Sequence, residues 1–343
     1  MLDMSDERAL SCPHPAVEKI ASTHQTCAIE EQVSSGSIEE KDEEIEVLLA
    51  KCTEERTAKE EFSIGQSYFD KGAFDDARTS FERCCETSMG AKYQLAVMLY
   101  DGLGGPKDCK RAVALIKGVI EEAENSHIGA CALYNLGRAY YEGFGIPQSD
   151  DKAEANWIKA SRVGKDDGCV KAQSVLGMYY SRIGEESYDL EKSHYWHQEA
   201  TGNGSLESHG ALGVMYEHGL GVVKDLNTSF RCFKSAAERG NIYAMGNLAV
   251  HYYRQKLFIN AADVAKRAAM LQDTETLSRD TDCLEAFIKK GVALGCFIYG
   301  RCVHLGLAVE KSANEAEKWY TRAAEFDLEV TAKMQELMTF GYI

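Results

Sequence analysis

The chain has 343 residues, is 45% apolar and carries a formal charge of −16 at neutral pH. No run of 18 apolar residues occurs, which argues against a membrane-spanning helix. An acidic chain without a basic stripe has little with which to hold a phosphate backbone, so nucleic acid is not expected as a partner.

The opening segment MLDMSDERALSCPHP has no basic stretch leading into an apolar one, so no secretory signal is expected and the predicted location is cytoplasmic. Residues 1–60 hold 15 acidic and 6 basic side chains. Residues 1–44 lack hydrophobic periodicity and read as an acidic disordered tail, dispensable for folding. A short helix is expected from Ile45. Twelve cysteines are scattered along the chain with no Cys-x-x-Cys pair, and they read as small hydrophobic residues kept reduced.

From residue 59 onward the chain repeats. The clearest unit is ALYNLGRAYYEGFGIPQSDDKAEANWIKASRVG, from Ala132 to Gly164. Ala132, Leu136, Gly137 and Tyr140 recur at helical spacing on a helix A. Gly143 and Gly145 break it, and Asp150 and Asp151 suit the start of a helix B, whose stripe is Ala153, Trp157 and Ala160. The spacing returns around Leu95, with Gly102 and Gly104, and around Gly177, with Ser193, His197 and Ala200. It returns again at Gly213, with Gly219, Gly221, Ser229, Phe233 and Ala236, and at Gly300, with Gly306, Ala316, Tyr320 and Ala323. Such a period is the signature of a stacked helical array sharing one core. Gly102, Gly104, Gly143, Gly145, Gly219 and Gly221 are therefore read as structural turn glycines and not as phosphate loops.

Two units have tighter turns: Ile64, Tyr68, Phe74 and Ala77 in one, Leu248, Tyr252, Phe258 and Ala261 in the other. The expected organisation is a tetratricopeptide-like unit at 59–90, repeats at about 91–126, 132–166, 172–205, 207–241, 243–272 and 293–327, and a capping helix over 328–343. A polar, turn-prone insertion, Gln272–Asp282, precedes the last repeat. The fold class is all-α, a right-handed α-solenoid.

His194 and His197 are three residues apart on a helix, but no third ligand accompanies them, and no metal or cofactor is expected. No nucleophile–base pair or nucleotide motif occurs, so neither an enzyme nor a small-molecule substrate is expected. By analogy with tetratricopeptide geometry, the inner face takes Gln94 and Tyr100, then Asn135, Arg138 and Tyr141, then Asn247 and Tyr253. Asparagine, arginine and tyrosine there suit an extended peptide.

The pattern Ala-x-x-x-Leu-Gly-x-x-Tyr-x-x-Gly-x-Gly, followed by Ala-x-x-x-Trp-x-x-Ala, resembles the Sel-one-like repeats, relatives of the tetratricopeptide family, over residues 59–327. The resemblance implies a non-catalytic adaptor or scaffold with a protein partner and no membrane insertion. Within the family, segments 91–104, 132–143, 170–181, 195–208 and 232–248 are similar to adaptors for the cytoplasmic tail of megalin (low-density lipoprotein receptor-related protein 2). The implied partner is that endocytic receptor's tail. The alternative is a general structural hub without a dedicated receptor.

Overall fold

The computed structural model describes residues 57–163 and 167–341. The acidic segment 1–44 and the short helix expected from Ile45 lie outside the described residues. Sixteen helices and no strand occur among the described residues, and the fold is an all-α solenoid of repeats. The helices fall into two compact units, one ending at Gln173 and one running from Ser174.

The first unit contains α1 (Ala58–Asp70), α2 (Phe74–Cys84), α3 (Met89–Asp101), α4 (Cys109–Ala123), α5 (His127–Glu142) and α6 (Asp150–Ala160). Each consecutive pair packs together, and α3 also touches α5 directly. A helix A glycine makes the notch into which a helix B ring fits. A Cβ at Gly137 would lie 2.5 Å from the Trp157 indole nitrogen, and one at Gly65 would lie 2.7 Å from the Phe81 ring. Trp157 and Phe81 are accordingly among the largest fully buried side chains.

Helix starts are set by local chemistry. Asp108 and Ser149 cap α4 and α6, accepting from the backbone N–H three residues on. Ser149 is thus the cap, and Asp150 and Asp151 occupy the first turn, where acidic charge suits the helix dipole. In the turns that precede them, Gly102 and Gly143 adopt φ values of 77° and 73° as left-handed C-caps. The second glycine of each pair does something else. Side chains at Gly104 and Gly145 would collide with the carbonyl groups of Phe74 and Cys109, at the start of the preceding helix B. Backbone rests directly on backbone at both places.

The second unit begins within α7 (Asp167–Tyr180) and continues through α8 (Leu190–Gly202), α9 (Leu206–His218), α10 (Leu226–Glu238), α11 (Ile242–Arg254) and α12 (Phe258–Ala269). Gly213 and Gly177 repeat the notch, holding Phe233 and His197. Gly221 repeats the backbone contact, on Leu190. The insertion after α12 is helical where a loop was expected: α13 spans Thr274–Thr281, capped by Asp273, and Leu277 packs on the core. A polar segment of eight residues carries too weak a periodicity to announce itself as a helix.

Helix α14 (Glu285–Leu305) is the axis of this unit and packs against α11, α12, α13, α15 (Ala313–Phe326) and α16 (Leu328–Thr339). Close approach explains its small residues. Gly246 and Gly291 leave no room for a Cβ between α11 and α14, and α12 presents Ala261, Ala265, Ala268 and Ala269, all fully buried. No helix among the described residues is long and apolar enough to cross a membrane.

One expectation about cysteine is corrected. Among the described residues seven cysteines are free, but Cys131 is disulfide-bonded. Because disulfides persist in oxidising compartments, cysteine usage no longer supports a reducing location.

Candidate binding surface

In the first unit, the helix A side chains assigned to an inner wall largely engage one another. Arg138 donates from Nη2 to Asp101 Oδ1 at 2.6 Å and from Nε to Glu142 Oε1 at 3.1 Å. The Tyr100 hydroxyl donates to the other Glu142 oxygen at 2.7 Å, and the guanidinium lies 4.7 Å from the Tyr100 ring centre. Burial opposes charge on Arg138, but Asp101 and Glu142 more than offset it and hold its pKa above the usual arginine value. The Tyr100 hydroxyl, desolvated and facing Glu142, is held neutral.

Gln94 is buried and donates to Gln66 Oε1 at 3.3 Å. Asn135 is half-buried and donates to the Tyr93 hydroxyl at 2.8 Å. The half-buried Tyr141 ring stands 5.8 Å from that of Trp157. Direct packing of α3 on α5 is why Gln94, Tyr100 and Arg138 face protein more than solvent.

The second unit holds an open cavity of about 410 Å³, within the usual range for ligand sites. Ala211, Val214 and Met215 of α9, Tyr243, Asn247 and Val250 of α11, and Phe287, Ile288 and Leu294 of α14 form its walls. Val330, Met334 and Leu337 of α16 complete it. Lys224, Glu217, Arg254, Lys290 and Lys333 supply charge around this lining, with Arg254 Nη1 2.7 Å from Glu217 Oε1. Asn247, half-buried, donates to the Tyr243 carbonyl at 2.9 Å and lines the cavity. Tyr253 does not line it. That residue is buried, with its ring edge-on to Phe258 at 5.4 Å.

Glu207 also lines the cavity, and nothing local in the sequence singles it out. Its carboxylate accepts the Leu284 backbone N–H at 3.2 Å, across 77 residues of chain. Leu284 is the N-cap of α14 and has no side-chain cap of its own, so Glu207 supplies one from outside. Desolvation, opposed by that hydrogen bond and reinforced by Asp282, pushes the Glu207 carboxyl up to about 8. Folding must therefore hold a proton that the unfolded chain releases above its ordinary carboxyl pKa of roughly 4.3. Stability from this group is complete at acid pH and is lost as pH rises toward about 8. We expect the urea midpoint to fall across that window, and Glu207→Gln, which keeps the acceptor, to flatten the fall and be the more stable protein at pH 8. A slope unchanged by the substitution contradicts this assignment.

His197 is part of the core. Its Nδ1 lies 3.0 Å from the Ser208 hydroxyl, and burial, with His194 adding to it, lowers its pKa to about 4. His194 points elsewhere, its Nε2 lying 3.3 Å from the Tyr216 hydroxyl. Among the described residues no group of three or more His, Cys, Asp and Glu side chains is placed to hold a metal ion.

Comparison with known proteins places this geometry. The Sel1 repeat model matches residues 90–117, 132–165, 170–205, 207–241 and 293–325. The segment 243–272, expected to be a further repeat, is not among the matched ones. A crystal structure of a Sel1 repeat protein from Oxalobacter formigenes superposes with a TM-score of 0.52 at 21% identity, covering 77% of this chain and 96% of that one. A protective antigen of uropathogenic Escherichia coli with an SLR fold gives 0.50 at 18% identity, covering 87% of this chain and 68% of that one. Both likenesses concern the fold alone. The "DAP3-binding cell death enhancer 1" proteins of Rattus norvegicus and Mus musculus are 25% and 24% identical over 179 residues, 52% of this chain. The match spans 33% of the length of those relatives. Five stretches of the chain thus match the Sel1 repeat model, and its all-α repeat fold is shared with these solved structures.

Proposed function

We propose that the chain is a non-catalytic protein-binding scaffold and that the cavity of its second unit holds an apolar segment of the partner. The observation that carries this reading is the cavity wall itself: helix A faces of α9, α11 and α14 bring aliphatic and aromatic side chains together around an open space. Asn247 adds an amide, and Arg254 and Lys290 add positive charge. Apolar anchors with a few placed polar groups are what a docked segment requires for both affinity and orientation. A relative whose name records binding to another protein, DAP3, is consistent with a scaffold role.

The specific partner implied by the sequence resemblance is the cytoplasmic tail of megalin, with action in the cytoplasm. The test is titration of labelled tail peptides into the full chain and into Ala211→Arg, which fills the cavity from a half-exposed position. Binding should weaken at least tenfold, about 1.4 kcal/mol, with helicity unchanged. Equal affinities remove the cavity from the reading. Failure of the tail peptides to bind the unaltered chain removes megalin and leaves the structural hub, for which a panel of other receptor tails shows no preference.

A further inference from the structure

The two units treat one arginine position in opposite ways. Taking the helix A glycines as register marks, Gly300 corresponds to Gly137, Arg301 to Arg138, and Leu305 to Glu142. In the preceding helix, Tyr253 corresponds to Tyr100 and Arg254 to Asp101. In the first unit, both carboxylates lie against the arginine. One of them, Glu142, spans Arg138 Nε and a tyrosine hydroxyl with its two oxygens. In the second unit, both acids are gone: Leu305 stands at one position and a second arginine at the other.

The consequence is visible atom by atom. Arg301 Nε is buried with no hydrogen-bond acceptor, and the Tyr320 hydroxyl has no partner but the Arg301 guanidinium. Arg301 makes no ion pair among the described residues, and its guanidinium, by its charge and by hydrogen bonding to the Tyr253 and Tyr320 hydroxyls, counters part of the desolvation that raises their pKa values. Arg254 offers no compensation, being cationic and paired with Glu217. Leu305, at the end of α14, is 42% exposed, so the place of the missing carboxylate opens to solvent. Buried donors without acceptors carry a desolvation cost that an incoming acceptor would relieve.

We propose that Arg301 and Tyr320 bind a carboxylate supplied by a ligand, in the place that Glu142 fills within the first unit. The site is separate from the apolar cavity, whose lining includes neither residue. It therefore stands whether or not the cavity holds a partner segment. A carboxylate suits it better than a phosphate because the template, one carboxylate bridging a guanidinium Nε–H and a phenol, is built into the same fold.

The experiment uses the full chain with 15N-labelled arginine, following the shielded Arg301 Nε–H resonance, which is identified by its loss in Arg301→Lys. Three probes are titrated: N-acetylglutamate N-methylamide, the matching glutamine compound, and glutarate. The glutamate compound or glutarate should shift the resonance saturably while the glutamine compound leaves it still. A larger response to the glutamate compound assigns the site to a protein side chain, and a larger response to glutarate assigns it to a free acid. Leu305→Glu, which restores the internal carboxylate, should show a shifted resonance without any probe, no further response, and a higher thermal midpoint. Equal responses to the glutamate and glutamine compounds, absence of any response, or an undiminished response in Leu305→Glu overturns the proposal.

Discussion

Replacing Arg138 with alanine is expected to destabilise the first unit by about 3–5 kcal/mol, because two buried carboxylates lose their shared cation. Asp101 and Glu142 side chains are 4% and 8% exposed, so water cannot take the place of the guanidinium. The pair energy itself is not what disappears; most of the loss is the cost of leaving charge in a poorly solvated place. A corollary separates the two. Arg138→Ala combined with Asp101→Asn and Glu142→Gln removes the charges as well as the cation, and should recover a substantial part of the loss. Urea unfolding followed by fluorescence, with Trp157 kept as the sole tryptophan, reads the unit that contains the network. A loss below 1 kcal/mol for Arg138→Ala, or no recovery in the triple variant, contradicts this reading.

The second large effect is expected at Gly145. Alanine there must adopt a φ of 76°, and its Cβ must enter the space of the Cys109 carbonyl. Left-handed strain of about 1–2 kcal/mol adds to overpacking of about 1–3 kcal/mol, for a total of roughly 2–5 kcal/mol. Gly143 provides the internal comparison. Its φ of 73° is nearly the same, but its nearest obstacle is the Gln148 side chain, with Cβ at 3.1 Å. Gly143→Ala should therefore cost the strain alone, about 1–2 kcal/mol. Equal losses at the two glycines would mean that the carbonyl of Cys109 yields easily.

What the sequence makes legible follows from distance along the chain. The notch pairing of Gly137 with Trp157 is visible because both residues recur at fixed offsets in other repeats. The turn glycines are visible for the same reason. The Arg138–Asp101 pair is not, since 37 residues separate the partners and nothing in a single repeat says which neighbour an arginine faces. Inner-face assignment by analogy therefore reaches Asn247, on the cavity wall, yet also names Tyr253, which the packing of α11 on α12 buries. Glu207 capping α14 lies beyond local reading altogether, as does α13, where Asp273 and Leu277 organise eight otherwise polar residues.

The contacts of Gly104, Gly145 and Gly221 bear on how such a chain can lengthen. Each joins a turn to the preceding helix through a glycine on one side and a main-chain carbonyl on the other. Main-chain carbonyls are common to every residue, so the joint imposes no side-chain requirement on the earlier repeat. A duplicated or transplanted repeat that brings its second glycine meets an acceptable seat without any compensating substitution. Side-chain matching is left to the notch, where glycine accepts an indole, a phenyl or an imidazole alike. Generic coupling of this kind lets repeats diverge in sequence, as Arg138 and Arg301 have in their surroundings, while the spacing between them stays constant.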